Sequence, residues 1–173
     1  SRGTATIANS TISRNTATYN GGGVYSIGEM MIINSTIIGN TAVRSGGGIS
    51  NISGNMTITN STISGNTAGR NGGGIHNNEN MTVTNSTIAG NTASRSGGGI
   101  TSRVTATLSN TIVAGNRVTG VGAIDFNGDL LPGSSNNLIG IDVGLSGLTN
   151  GVNGNQIGTL SDPIDPLFGP LTF

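Results

Sequence analysis

The chain has 173 residues with no Cys, Trp or Lys, and its seven Arg balance seven Asp and Glu to a net charge of zero. Gly, Asn, Thr and Ser supply 96 residues, while 8% of the chain is charged and 3% aromatic. This excludes a helical bundle rich in Leu, Ala, Glu and Lys, a membrane helix, which needs roughly 18 apolar residues in a row, a disulfide scaffold and a general nucleic-acid binder with net positive charge.

Short pieces recur in chain order. NSTI and GNTA return with Asn15, Asn40, Asn66, Asn91 and Asn116 as origins, and a Gly triplet follows the first four: Gly21–Gly23, Gly46–Gly48, Gly72–Gly74 and Gly97–Gly99. Aligned on the origin, the units give apolar columns. Ile7, Ile32, Ile58, Val83 and Leu108 form one, and Ile12, Ile37, Ile63, Ile88 and Val113 another. Ala5, Met30, Met56, Met81 and Ala106 form a third, and Ala17, Ala42, Ala68, Ala93 and Val118 a fourth. A fifth column holds Val24, Ile49, Ile75 and Ile100, with Ile124 one place early. A column constant in one chain predicts that like stacks on like.

Within units the apolar residues alternate, as in Met56-Thr57-Ile58-Thr59, which is strand periodicity in a β-branched segment. Each unit reads as about three short strands, with Gly and Asn at positive-φ turns. A repeat of about 25 residues with three strands predicts one coil of a parallel β-helix, stacked at about 4.8 Å per coil. The expected fold is all-β, one solenoid of six to seven coils in a single domain: regular coils over 1–124, irregular coils over 125–160 and an extended tail over 161–173. The origin column predicts an Asn ladder of Asn15, Asn40, Asn66, Asn91 and Asn116, and Asn9, Asn34, Asn60, Asn85 and Asn110 are a second candidate.

The pieces Ile12–Asn15, Ile37–Asn40, Ile63–Asn66 and Ile88–Asn91, alternating with Gly46–Ile49, Gly72–Ile75 and Gly97–Ile100, resemble the repeats of polymorphic outer-membrane proteins and related bacterial β-helix adhesins. Asn136–Gly140 and Asp162–Leu171 resemble large secreted bacterial proteins of the choice-of-anchor kind. The resemblance covers nearly the whole chain. It implies a right-handed β-helix, secretion and a role on the bacterial cell surface, and it offers no catalytic residues. With no signal peptide or anchor in view, the chain is expected to be a processed product or a fragment.

Chemistry is sparse in these residues. Glycoside hydrolysis wants two carboxylates about 5–10 Å apart; Glu29 and Glu79 lie two coils apart and read as solvated turn residues. His76 is the only histidine, without an Asp in its coil, and reads as an exposed strand or turn residue. Tyr19 and Tyr25 are too few and scattered for a sugar platform. Stacked Thr57/Thr59 and Thr82/Thr84, continued by Thr107/Ser109, could bind ice but are interrupted by Met31 and Ile33. No catalytic residue, metal or cofactor is expected.

The charge is axially segregated. Residues 1–124 hold all seven Arg and two Glu, and the rest holds five Asp. Candidate assembly charges are Arg2, Arg14, Arg44, Arg70 and Arg95 toward one end, and Asp125, Asp129, Asp142, Asp162 and Asp165 toward the other. Open coil edges pair readily, and a positive end meeting a negative one is a non-closing contact that gives filaments. The expected function is a non-catalytic extracellular structural or adhesive protein assembling head to tail. Glycans or proteins of a cell surface or matrix are further partner classes; nucleic acid and a membrane span are not expected. The alternatives are a monomeric adhesin segment, then a polysaccharide-degrading enzyme using Glu29 and Glu79, or an ice binder.

Overall fold

The computed structural model describes residues 3–122 and 124–167. The alternating β-branched pieces form short strands, four per coil rather than three. In the first coil these are β1 (Ala5–Ala8), β2 (Thr11–Ser13), β3 (Thr16–Ala17) and β4 (Val24–Ile27). The additional strand is β3, whose two residues are too few to show an alternation of their own.

Corner residues turn the chain between strands. Asn9, Asn34, Asn60, Asn85 and Asn110 follow the β1-type strands with φ between 49° and 51°. Asn tolerates this left-handed conformation because its short amide can bond locally. After the β2-type strands the same conformation falls to Gly39, Gly65, Gly90 and Gly115, and in the first coil to Arg14 at 55°. In each full Gly triplet the first residue has positive φ, but the middle one is demanded by space. A Cβ on Gly47 would lie 2.3 Å from the carbonyl oxygen of Gly73 in the next coil.

Successive coils pair in parallel and in register. β1-type strands stack five deep, β2-type seven, β3-type five and β4-type six. The apolar columns are the registers themselves: Ile7, Ile32, Ile58, Val83 and Leu108 in one sheet, Ile12, Ile37, Ile63, Ile88 and Val113 in the next. Ile32, Ile58, Val83, Ile37, Ile63 and Ile88 are fully buried. Their first-coil copies Ile7 and Ile12 are half-buried, being packed from one side. In the fifth coil Phe126, not Ile124, pairs with Ile100 and fills the column.

The molecule is therefore a parallel β-helix of about five turns, fewer than the six to seven expected. Beyond Phe126–Asp129, among the described residues, only isolated short strands continue: Leu138–Ile139 and Gln156–Ile157 in the β2-type sheet and Leu145–Ser146 in the β4-type sheet. The segment after them crosses the end of the rod, with the Ile164 N–H donating to the Gly140 carbonyl at 3.0 Å. Among the described residues no helix is long and apolar enough to cross a membrane.

Candidate functional site

The polar ladders set the chemistry available inside the rod. Each origin Asn donates its Nδ2–H to Oδ1 of the next copy: Asn15 to Asn40 at 3.0 Å, Asn40 to Asn66 at 3.0 Å, Asn66 to Asn91 at 2.9 Å and Asn91 to Asn116 at 3.0 Å. The same Oδ1 also accepts the backbone N–H of the preceding copy. Every amide points the same way, so the last one needs a pure acceptor. Asp125 supplies it: its Oδ1 takes both the Nδ2–H and the backbone N–H of Asn116 at 2.9 Å.

This corrects the surface role expected for Asp125, which is 1% exposed. Burial pushes its carboxyl above the usual range, and the hydrogen bonds from Asn116 and from the Ile141 N–H act in the opposite direction.

The second ladder also forms, on the exposed corner and running in the opposite sense. Asn34 donates to Asn9, Asn60 to Asn34, Asn85 to Asn60 and Asn110 to Asn85, at 2.9 to 3.2 Å. A third was missed in the sequence. The Oγ atoms of Ser35, Ser61 and Ser86 each accept the backbone N–H of the serine one coil earlier at 3.1 Å. The recurring serine of NSTI was its signal.

His76 is not exposed. It pairs in register with Ser50 and Thr101 on the outward face of the β4-type sheet, yet it is 5% exposed. The Gly-triplet loops fold back over that face: a Cβ on Gly72 would lie 2.7 Å from the His76 backbone nitrogen, and one on Gly46 2.8 Å from the Ser50 Cβ. His76 Nδ1 and Ser50 Oγ are both buried without a hydrogen-bond partner. Among the described residues no bond joins them to activate the hydroxyl, and no carboxylate orients the imidazole.

Desolvation, aided by the positive charge of Arg103, lowers the His76 pKa from 6.5 to about 4. The unfolded chain then binds the proton first. Stability contributed by neutral His76 is complete above pH 6.5 and is lost as pH falls toward 4, by at most about 3 kcal/mol. Urea melts between pH 7 and pH 4 are expected to show this slope in the parent chain and a shallower one in His76→Asn. Asp125 acts with opposite sign. Its raised pKa favours the fold below 3.8 and withdraws that contribution as pH rises through the folded value.

The remaining candidates separate. Glu29 Oε1 accepts the Asn55 N–H and amide at 3.3 Å, and Asn55 in turn accepts the Asn80 amide at 3.2 Å. Asn55 thus stands in the coil between Glu29 and Asn80, the residue next to Glu79. Arg14, Arg44, Arg70 and Arg95 are exposed, as are Asp129, Asp162 and Asp165, while Asp142 is half-exposed. The Ser146 hydroxyl donates to Asp129. Arg2 lies outside the described residues. Thr57, Thr82 and Thr107 stack in register, with Met31 before them. A longer column, Thr11, Thr36, Thr62 and Thr87, runs along the β2-type sheet. Among the described residues no three His, Cys, Asp or Glu gather as a metal site.

Compared with known proteins, residues 1–157 match the family described as a right handed beta helix region. No curated protein and no solved structure matches the chain.

Proposed function

Because the chain belongs to the right-handed β-helix family, we propose that it is a non-catalytic structural or adhesive rod of the cell exterior that associates end to end. The observation that supports this reading is the placement of charge along the rod: the exposed Asp129, Asp162 and Asp165 lie toward one end and Arg14 on the first coil, which favours a head-to-tail contact that does not close. Among the described residues β1 to β4 pair on one side, with the second coil, and a coil edge is a template for another coil.

A backbone substitution tests the edge. The Arg14 N–H and the Ser10 carbonyl bond the second coil, so in a parallel ladder the N–H of Ser13, one residue over, faces the free edge. Proline there removes a donor that the rod itself does not use. Ser13→Pro is expected to keep the β circular dichroism and to sediment as a monomer at concentrations where the parent chain polymerises. A parent chain that stays monomeric at every concentration contradicts end-to-end association and favours the second reading, an adhesin segment that presents its side faces.

A further inference from the structure

The segment that crosses the end of the rod carries Asp162-Pro163-Ile164-Asp165-Pro166. Proline fixes its own φ and holds the residue before it to extended backbone, so both aspartates are set by the proline that follows them. Such a stretch winds three residues to a turn and rises about 3.1 Å per residue, which places Asp162 and Asp165 on one side, about 9.3 Å apart. The burial agrees. Ile164 is half-buried and donates its N–H to the Gly140 carbonyl at 3.0 Å, while Asp162 and Asp165 are exposed. Asp165 Oδ1 accepts the Leu167 N–H at 2.9 Å, a bond that does not use its second oxygen.

The flank of the rod repeats the opposite charge at a matching interval. Arg44, Arg70 and Arg95 stand in one column on successive coils, at the corner between the β3-type and β4-type strands, and all three are exposed. Their backbones are tied in line: the Arg44 N–H donates to the Tyr19 carbonyl, Arg70 to Arg44 and Arg95 to Arg70, each at 2.8 Å. At about 4.8 Å per coil, Arg44 and Arg95 lie about 9.6 Å apart. Like charges so spaced repel, and among the described residues no carboxylate meets any of the three. The Arg44 guanidinium lies over the Tyr19 ring, 5.0 Å from its centroid, and Tyr19 heads the column, 64% exposed.

We propose that this column is the docking surface for the Asp-Pro segment of a second copy of the chain. Asp162 of one copy meets Arg95 of the next and Asp165 meets Arg44, with Arg70 between the two carboxylates. The planar guanidinium fork matches carboxylate geometry. Leu167, exposed and two residues beyond Asp165, then falls on the Tyr19 ring. The contact joins the C-terminal end of one rod to the flank of another, and being heterologous it leaves a column and a segment open. It is separate from coil-edge pairing and does not depend on it. In an end-to-end fibre every flank stays open, and the segment at the fibre tail docks on a neighbouring fibre. Two surface ion pairs and one apolar contact make it weaker than a coil edge.

Sedimentation equilibrium at low salt tests it, on the full chain carrying Ser13→Pro to silence the coil edge. Concentrations run above those at which coil edges pair, up to about 1 mM. Reversible self-association that weakens with salt is expected. Arg44→Gln with Arg95→Gln should weaken it roughly tenfold, and Asp162→Asn with Asp165→Asn by the same factor. Arg117→Gln removes an arginine charge away from the column and should leave it unchanged. A charge exchange completes the test. Chains with Arg44→Asp and Arg95→Asp should stay monomeric alone, as should chains with Asp162→Arg and Asp165→Arg, and an equal mixture of the two should associate. The substituted charged side chains are exposed, so circular dichroism should not move. A Ser13→Pro chain that is monomeric throughout, association untouched by the arginine pair, or a mixture that stays monomeric would overturn the proposal. Coil-edge pairing is read separately, from the parent chain against Ser13→Pro.

Discussion

Ile63→Asp is expected to unfold the middle of the rod. Ile63 is fully buried and pairs in register with Ile37 above and Ile88 below. A carboxylate there would be desolvated between two aliphatic side chains, with no cation or donor in the column to meet it. The penalty for an unpaired buried charge exceeds about 4 kcal/mol, comparable with the whole stability of an ordinary domain. Because each coil rests on its neighbours, the loss uncouples the coils on either side. Far-ultraviolet circular dichroism should lose its β signal, while Ile63→Val, which removes one methyl group, should cost only about 1 kcal/mol. A cooperative melt for Ile63→Asp matching that of the parent chain would refute the stacking of the columns.

Asn66→Leu should produce the next largest loss, for a different reason. The Asn66 side chain is fully buried and makes four hydrogen bonds. Oδ1 accepts the backbone N–H and the amide of Asn40, and Nδ2–H donates to Asn91 Oδ1 and to the Ile37 carbonyl. Leucine leaves the Asn40 N–H without an acceptor and the Ile37 carbonyl without this donor. At about 1–3 kcal/mol for each buried group so stranded, the expected loss is about 4 kcal/mol, read from urea melts. Asn66→Asp is the informative companion. It keeps the acceptor for Asn40 but sets a second carboxylate oxygen against Asn91 Oδ1 and the Ile37 carbonyl. Its defect should ease as the pH falls and the carboxyl protonates. Identical stability of Asn66→Leu and the parent chain would mean that the ladder orders the coils without strengthening them.

The ladder also shows how far the sequence could be read. Columns such as Ile12 to Val113 and Asn15 to Asn116 are legible because a parallel solenoid puts identical side chains into identical surroundings one period apart. What escaped lies where the period fails or where one part of a coil folds over another. Asp125 follows Asn116 by nine residues instead of 25, so no alignment on the repeat could place it as the ladder's terminal acceptor. A loop one residue longer than in the earlier coils moved Phe126, ten residues after Asn116 where Ile100 follows Asn91 by nine, into the column expected for Ile124. His76 alternates outward as a strand residue should, and only the Gly loops lying on that face bury it. Tyr19 seemed isolated until the coils set its ring under the Arg44 guanidinium, 5.0 Å from the centroid. The line of backbone hydrogen bonds from Arg44 to Tyr19, Arg70 to Arg44 and Arg95 to Arg70 belongs to the folded chain.

Association through coil ends remains the centre of the functional reading, and electron microscopy of the purified chain at low and high salt tests it most directly. Thin fibres with an axial repeat of one rod, about 24 Å for five coils, are expected, shortening or dissolving as salt screens the attraction between the arginine-bearing and aspartate-bearing ends. Discrete single rods under both conditions would contradict it.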